Sequence, residues 1–240
     1  MRIAATADLD ALQGNFETFW SALQKIENPD LFLWAGDMCD FRKIDEYSTI
    51  MRYIEQKKIK CPIVACFGNK EFDQDYDKIK KICGDKVMFL DDETLVTEIN
   101  GKKIGIVGTK GCLDKPTFWQ VRNIKNINEF YAKRFETVVQ QLENLRKLVD
   151  VLILLIHYAP THKTLKGEAP YIYGGLSYIK FEEAIKNIKP DIVIHGHAHS
   201  GIPFDFVDSI PIFNAAFPVN KKIVEINTED LPKKGLRQFL

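Results

Sequence analysis

The sequence predicts an α/β fold in which mixed β-sheets pack together with helices outside. Three observations carry this. Short aliphatic runs alternate with helical patterns in the first third of the chain, an Asn-Gly hairpin signal follows, and several short strand-like runs come late. Alternation of strand and helix implies parallel strands joined by crossover helices, whereas a tight turn joins antiparallel ones. Residues 3–7, 31–35 and 63–67 read as buried strands, and each runs into polar residues: Asp8, Gly36-Asp37 and Gly68-Asn69. Helical patterns at 15–26 and 44–57 lie between them. Residues 86–90 form a further strand. Residues 95–99 and 103–107 then make a hairpin about Asn100-Gly101, a pair suited to a type I′ turn. Within 124–149, Ile127, Tyr131, Phe135, Val138, Leu142, Leu145 and Val149 recur at helical spacing, which predicts a long amphipathic helix over one sheet face. Residues 151–156 are aliphatic throughout and end at His157. A loop rich in Pro, Gly and Tyr spans 158–176, a helix 177–188, a strand 191–194, and short strands 203–207, 210–214 and 221–226.

No linker, repeat or low-complexity stretch interrupts this order, so residues 1–240 are expected to form a single domain. Hydrophobic residues make up 45% of the chain and charged residues 28%, as in ordinary soluble proteins. Lys plus Arg and Asp plus Glu both number 33, and this zero balance disfavours a strongly basic nucleic-acid binder. Five cysteines, without a Cys-x-x-Cys pair, read as reduced core thiols. The N-terminus lacks a signal-peptide apolar stretch, and the run at 151–156 is too short to cross a bilayer. A soluble, cytoplasmic protein without membrane contact is expected. The sequence carries no signature of oligomeric state.

The most specific motif is His195-Gly196-His197-Ala198-His199, which holds three of the five histidines where a strand gives way to a loop. A solvated loop or a buried structural histidine is the plainer explanation of any one of them. Three at alternate positions favour a transition-metal site, since imidazole is the commonest ligand for such ions. A turn at Gly196 would make His197 and His199 diverge towards different ions. Ligands of open α/β sheets bind beyond the carboxyl ends of strands. Those ends carry Asp8 and Asp10, Asp37 and Asp40, Asn69, His157, and His197 and His199. A single Gly-Asp marks a turn; five strands ending in metal-ligand residue types point to an ion site. A carboxylate such as Asp37 can bridge two ions about 3.5–4 Å apart, the clamp used for in-line displacement at phosphorus.

On these residues the chain resembles the calcineurin-like metallophosphoesterases. The family pattern Asp-x-His, Gly-Asp-x-x-Asp, Gly-Asn-His-Asp/Glu, a later His, and Gly-His-x-His meets Asp8-Leu9-Asp10, Gly36-Asp37-Met38-Cys39-Asp40, Gly68-Asn69-Lys70-Glu71, His157 and Gly196-His197-Ala198-His199. The resemblance implies a four-layer αββα sandwich of two mixed sheets packed face to face. It implies two divalent metal ions (Mn²⁺, Fe²⁺ or Zn²⁺), with Asp8, Asp37 and His199 around one and Asp37, Asn69, His157 and His197 around the other. It also implies hydrolysis of a small phosphomonoester or phosphodiester by a bridging hydroxide.

Two positions depart from the pattern. Asp10 replaces a ligand histidine; it either binds the metal directly or reaches it through water. Lys70 replaces a histidine that assists the leaving group. Lys70 either stabilises charge on the phosphoryl group or forms a structural salt bridge with Asp40 or Glu71. The catalytic set is therefore Asp37, Asn69, Lys70 and Asp40. Two other functions stay open: a degenerate relative serving as a binding or scaffold protein with weak or no turnover, and a metal-dependent nuclease. His195 reads as a supporting or buried residue. Tyr158, His162, Lys163, Tyr171 and Tyr173 read as loop residues near a substrate, Trp119 and Arg122 as a rim, and Cys39 as packing.

Overall fold

The computed structural model describes residues 1–231. Four parallel strands open the chain: β1 (Arg2–Thr6), β2 (Leu31–Ala35), β3 (Ile63–Cys66) and β4 (Val87–Leu90). Parallel neighbours need crossovers, and α1 (Glu17–Lys25), α2 (Glu46–Lys57) and α3 (Tyr76–Cys83) supply them. The sequence reading places no helix at α3, which buries only Tyr76, Ile79 and Cys83 among lysines.

The second sheet begins with the predicted hairpin, β5 (Glu93–Ile99) and β6 (Lys102–Thr109), joined by Asn100 and Gly101. Both turn residues have positive φ, 52° and 73°, as a type I′ turn requires. After the short α4 (Phe118–Asn123) and the long α5 (Ile127–Arg146) come β7 (Val151–Ile156), α6 (Lys180–Ile188) and β8 (Ile192–His195). Next follow β9 (Phe204–Val207), β10 (Ile210–Asn214) and α7 (Phe217–Asn220). The strand order is β5-β6-β7-β8-β10-β9, with antiparallel pairs at both edges. Finally β11 (Val224–Asn227) returns to the first sheet, antiparallel to β1, giving the order β11-β1-β2-β3-β4.

Side-chain alternation sorts the core into layers even where a strand is buried throughout. Phe32 and Trp34 of β2 face α1 to α3, packing with Phe19, Leu23, Ile50, Ile54 and Ile79. Leu31 and Leu33, one residue out of phase, join Ile3, Ala5 and Val64 against Ile104, Ile106, Ile153, Leu155, Ile192 and Ile194 of the second sheet. On its far face Leu152, Leu154 and Val193 meet Val138, Leu142, Phe181 and Ile185 of α5 and α6. Each fully buried large apolar side chain contributes about 1.5–3 kcal/mol. The result is helices, sheet, sheet, helices: the four-layer αββα sandwich.

At one end the sheets are stitched by backbone hydrogen bonds. The Ala7 N–H donates to Ala215 O (3.0 Å), and the Phe217 N–H donates to Ala7 O (2.9 Å). That is also the end at which β1, β2, β3, β7 and β8 release their polar residues.

Candidate metal centre

Three residues just past these strand ends take left-handed backbone: Asp8 (φ 59°), Asp37 (φ 51°) and His197 (φ 69°). Such conformations cost about 1 kcal/mol or more in non-glycine residues, and their concentration here marks a site that the surrounding packing enforces. For Asp8 the turn lets Oδ2 accept the His197 N–H (2.9 Å) while Oδ1 faces His199 Nε2 at 3.0 Å. The divergence of His197 and His199 is thus produced at His197 itself, not by a left-handed Gly196. Gly196 is required for space: a Cβ there would lie 2.5 Å from Asp8 Oδ2. Gly68 is similar, because its Cβ would lie 2.2 Å from Asp37 Oδ1.

The donor atoms fall into two sets, each lying within 4.8 Å of one another: Asp37, His157 and His197, and Asp8, Asp10 and His199. Asn69 joins the first, with Oδ1 2.9 Å from His157 Nε2. Asp37 Oδ2 lies 3.4 Å from the same nitrogen, whereas Asp37 Oδ1 accepts the Lys70 N–H (2.7 Å). His157 Nδ1–H donates to Ala35 O (2.8 Å), which aims Nε2 into the set. Each set draws on both sheets, with carboxylates from the first and imidazoles from the second.

The electrostatics are those of a site with a surplus of negative charge. Burial disfavours the charged His157 ring, but Asp37, together with Asp8 and the Ala35 carbonyl, outweighs it and lifts the pKa to about 9. Burial, reinforced by the charge on His157, lowers His197 to about 3. A hydrogen bond to Asp8 raises His199. Burial, then repulsion from Asp37 and Asp8, pushes Asp10 up to about 7. Asp10 Oδ1 is buried and has no hydrogen-bond partner. Two oxygen-and-imidazole donor sets and an orphaned carboxylate oxygen fit divalent cations.

The remaining predicted residues divide. Lys70 Nζ approaches Asp10 Oδ2 (3.5 Å) and Asp40 Oδ1 (3.8 Å). Its pairing with Glu71 does not occur. Glu71 is buried and accepts instead from the N–H groups of Gly68 (2.6 Å), Met38 (2.7 Å) and Asp37 (3.0 Å) and from Tyr47 OH (2.8 Å). Burial, with repulsion from Asp37, raises the Glu71 pKa, and its donors offset part of this. The sequence marks Glu71 only as a possible partner of Lys70; its place at the end of the Gly-Asn-Lys-Glu motif is the signal for this larger structural role. Asp40 belongs to neither donor set and is held by Lys43 (3.0 Å) and the Phe41 N–H (2.7 Å). His195 is buried, with Nδ1–H donating to Gly196 O (2.7 Å) and Nε2 2.8 Å from Thr164 Oγ1; burial lowers its pKa to about 4. Tyr158 is buried and packs edge-on against His197, 4.8 Å between centroids. Trp119 and Phe72 meet at 5.7 Å, whereas Tyr171 projects into solvent. Cys39 is buried, and none of the five cysteines is paired. No helix among the described residues is long and apolar enough to cross a membrane.

Known proteins place this arrangement. In fold, the chain is similar to phosphopantetheinyl hydrolase from Mycobacterium tuberculosis, with a TM-score of 0.61 at 15% identity over 92% of this chain and 95% of that one. It is similar to the 5′-nucleotidase of Candida albicans, with a TM-score of 0.53 at 15% identity over 89% of this chain and 45% of that one. It is also similar to the anchor in the inner membrane complex of Plasmodium, with a TM-score of 0.52 at 12% identity over 91% and 72% of the two chains. No curated protein matches the sequence. The family model of calcineurin-like phosphoesterases matches residues 1–201, a span that contains every donor described above, and the chain belongs to that family.

Proposed function

We propose that the protein is a metal-dependent phosphoesterase acting on a small phosphomonoester or phosphodiester. The observation that carries this is the pair of donor sets at the converging strand ends, with the Asp10 Oδ1 oxygen buried and unpartnered. Asp37, Asn69, His157 and His197 would hold one divalent ion, and Asp8, Asp10 and His199 a second, each Mn²⁺, Fe²⁺ or Zn²⁺. Such ions, when bound, neutralise phosphoryl oxygens and lower the pKa of a water that attacks phosphorus. The chain's own residues fix the geometry. The Ala35 carbonyl orients His157, Asp8 orients His199 and the His197 backbone, and the Glu71 carboxylate holds the Asp37 and Gly68 loops together. Lys70 offers its ammonium beside the site, where a substrate's phosphoryl charge would sit. The phospho-oxygen bond breaks, water adds to phosphorus, and an alcohol leaves with a proton.

Elemental analysis of the purified protein, paired with a phosphoester screen in Mn²⁺, Zn²⁺, Fe²⁺ and Mg²⁺, tests the proposal. Bound metal with turnover is expected. A protein that holds metal without hydrolysing any ester would favour the second reading, a binding or scaffold role. That reading is supported by the Asp10–Lys70 contact, which stands where the family has two histidines. Nucleic acid is the less favoured substrate, because the chain carries no net charge.

Metal uptake is expected to tighten as pH rises from 6 to 9. A ligand imidazole must be unprotonated, and His157 keeps its proton up to about pH 9. Below that value each pH unit costs up to roughly tenfold in apparent affinity. Asp10, raised to about 7, adds to the slope in the lower half of the range. Calorimetric Mn²⁺ titrations at pH 6, 7.5 and 9 should show this together with proton release. An affinity flat across the range contradicts it.

A further inference from the structure

A lysine ammonium borders one of the two donor sets. Lys70 Nζ lies 3.5 Å from Asp10 Oδ2, and the same ammonium reaches Asp40 Oδ1 at 3.8 Å. Asp10 is buried, whereas Lys70 is about one-third exposed. The lysine is tethered at both ends, because its backbone N–H donates to Asp37 Oδ1 (2.7 Å). Its backbone therefore leans on the carboxylate of one set while its ammonium neutralises a carboxylate of the other. Among the described residues no lysine or arginine side chain pairs with Asp37, whose ion-pair partner is His157. The two sets thus differ in fixed charge: among the described residues, a lysine ammonium lies beside Asp10 of one and beside no carboxylate of the other. A divalent ion entering between Asp8, Asp10 and His199 meets an ammonium that both competes for Asp10 and repels the ion.

We propose that Lys70 is the built-in counter-charge of the Asp8–Asp10–His199 set, so that the protein takes up two divalent ions unequally. The Asp37–Asn69–His157–His197 site fills first. The Asp8–Asp10–His199 site fills at higher metal concentration, when Asp10 exchanges the ammonium for the ion. In the one-ion form the ammonium stays paired with Asp10 and Asp40 and supplies the positive charge on that side of the site. This inference rests on the metal-dependent reading above.

The test is a Mn²⁺ titration of the full chain, followed by calorimetry and by the electron paramagnetic resonance of free and coupled Mn²⁺. The wild type should show two steps separated by about tenfold or more, with the coupled-pair spectrum appearing only in the second. Lys70→Met should tighten the second step by roughly tenfold and leave the first in place. Lys70→Arg, which retains the charge, should titrate like the wild type. Two equal steps in the wild type, or an unaltered second step in Lys70→Met, would overturn the counter-charge and leave the metal-dependent reading standing. Absence of Mn²⁺ uptake in the wild type and all variants would sink both.

Discussion

Asp37→Asn is expected to slow hydrolysis of an activated phosphoester by about 10²–10³-fold or more while the protein stays folded. The substitution removes little besides charge. Asparagine tolerates the left-handed backbone at this position, its carbonyl oxygen can still accept the Lys70 N–H, and its own N–H can still donate to Glu71. Lost are the anionic ligand of the first donor set and the charge that holds a proton on His157. Metal content should fall together with turnover. His197→Ala, which removes an imidazole from the same set, should have the same phenotype. Both variants are to be assayed by steady-state kinetics and elemental analysis, with a thermal melt as the folding control. Wild-type turnover in either would show that the chemistry lies elsewhere.

Glu71→Ala is expected to produce the largest loss of stability of any single change at the site, about 3–5 kcal/mol. Four donors converge on this one buried carboxylate: three backbone N–H groups from the β2 and β3 loops and the Tyr47 hydroxyl of α2. Alanine leaves all four without a partner and opens a cavity. For a chain of this size the melting temperature should drop by about 10 °C. Glu71→Gln should fall between, since its amide nitrogen meets a donor where the carboxylate offered an oxygen. Differential scanning calorimetry distinguishes these cases. A decrease below about 2 °C for Glu71→Ala would mean that the loops hold without the carboxylate.

Much of this molecule was legible in its sequence, for identifiable physical reasons. Strands such as β2 and β7 are continuous aliphatic runs bounded by polar residues, and α5 shows its buried stripe over twenty residues. Donor residues declared themselves by following those runs. The short helices did not. α3 buries three side chains in eight residues, and α4 buries none, so periodicity had little to work on. The capping box of Thr117 and Gln120 was the one local mark of α4. Hardest to foresee was where Lys70 would point. Asp10 follows β1 and Lys70 follows β3, strands separated by β2 in the sheet, so no spacing argument brings them together. Asp40 and Glu71 are the partners that the sequence offers the lysine. The four donors around Glu71 claim it instead, which leaves Lys70 to Asp10 and Asp40.

The two-sheet origin of each donor set has a consequence for how the fold is specified. The layer between the sheets is built mostly of Ile, Leu, Val and Ala, side chains that would tolerate several relative alignments at small energetic difference. Sliding one sheet by a single residue, about 3.3 Å, would leave that layer apolar. The same slip would separate Asp37 from His157 and Asp8 from His199, which now lie 3.4 Å and 3.0 Å apart. Polar residues at the strand ends thus act as a vernier, converting a permissive aliphatic contact into one discrete alignment. Chemistry at the rim of this protein and geometry at its centre are selected by the same few atoms.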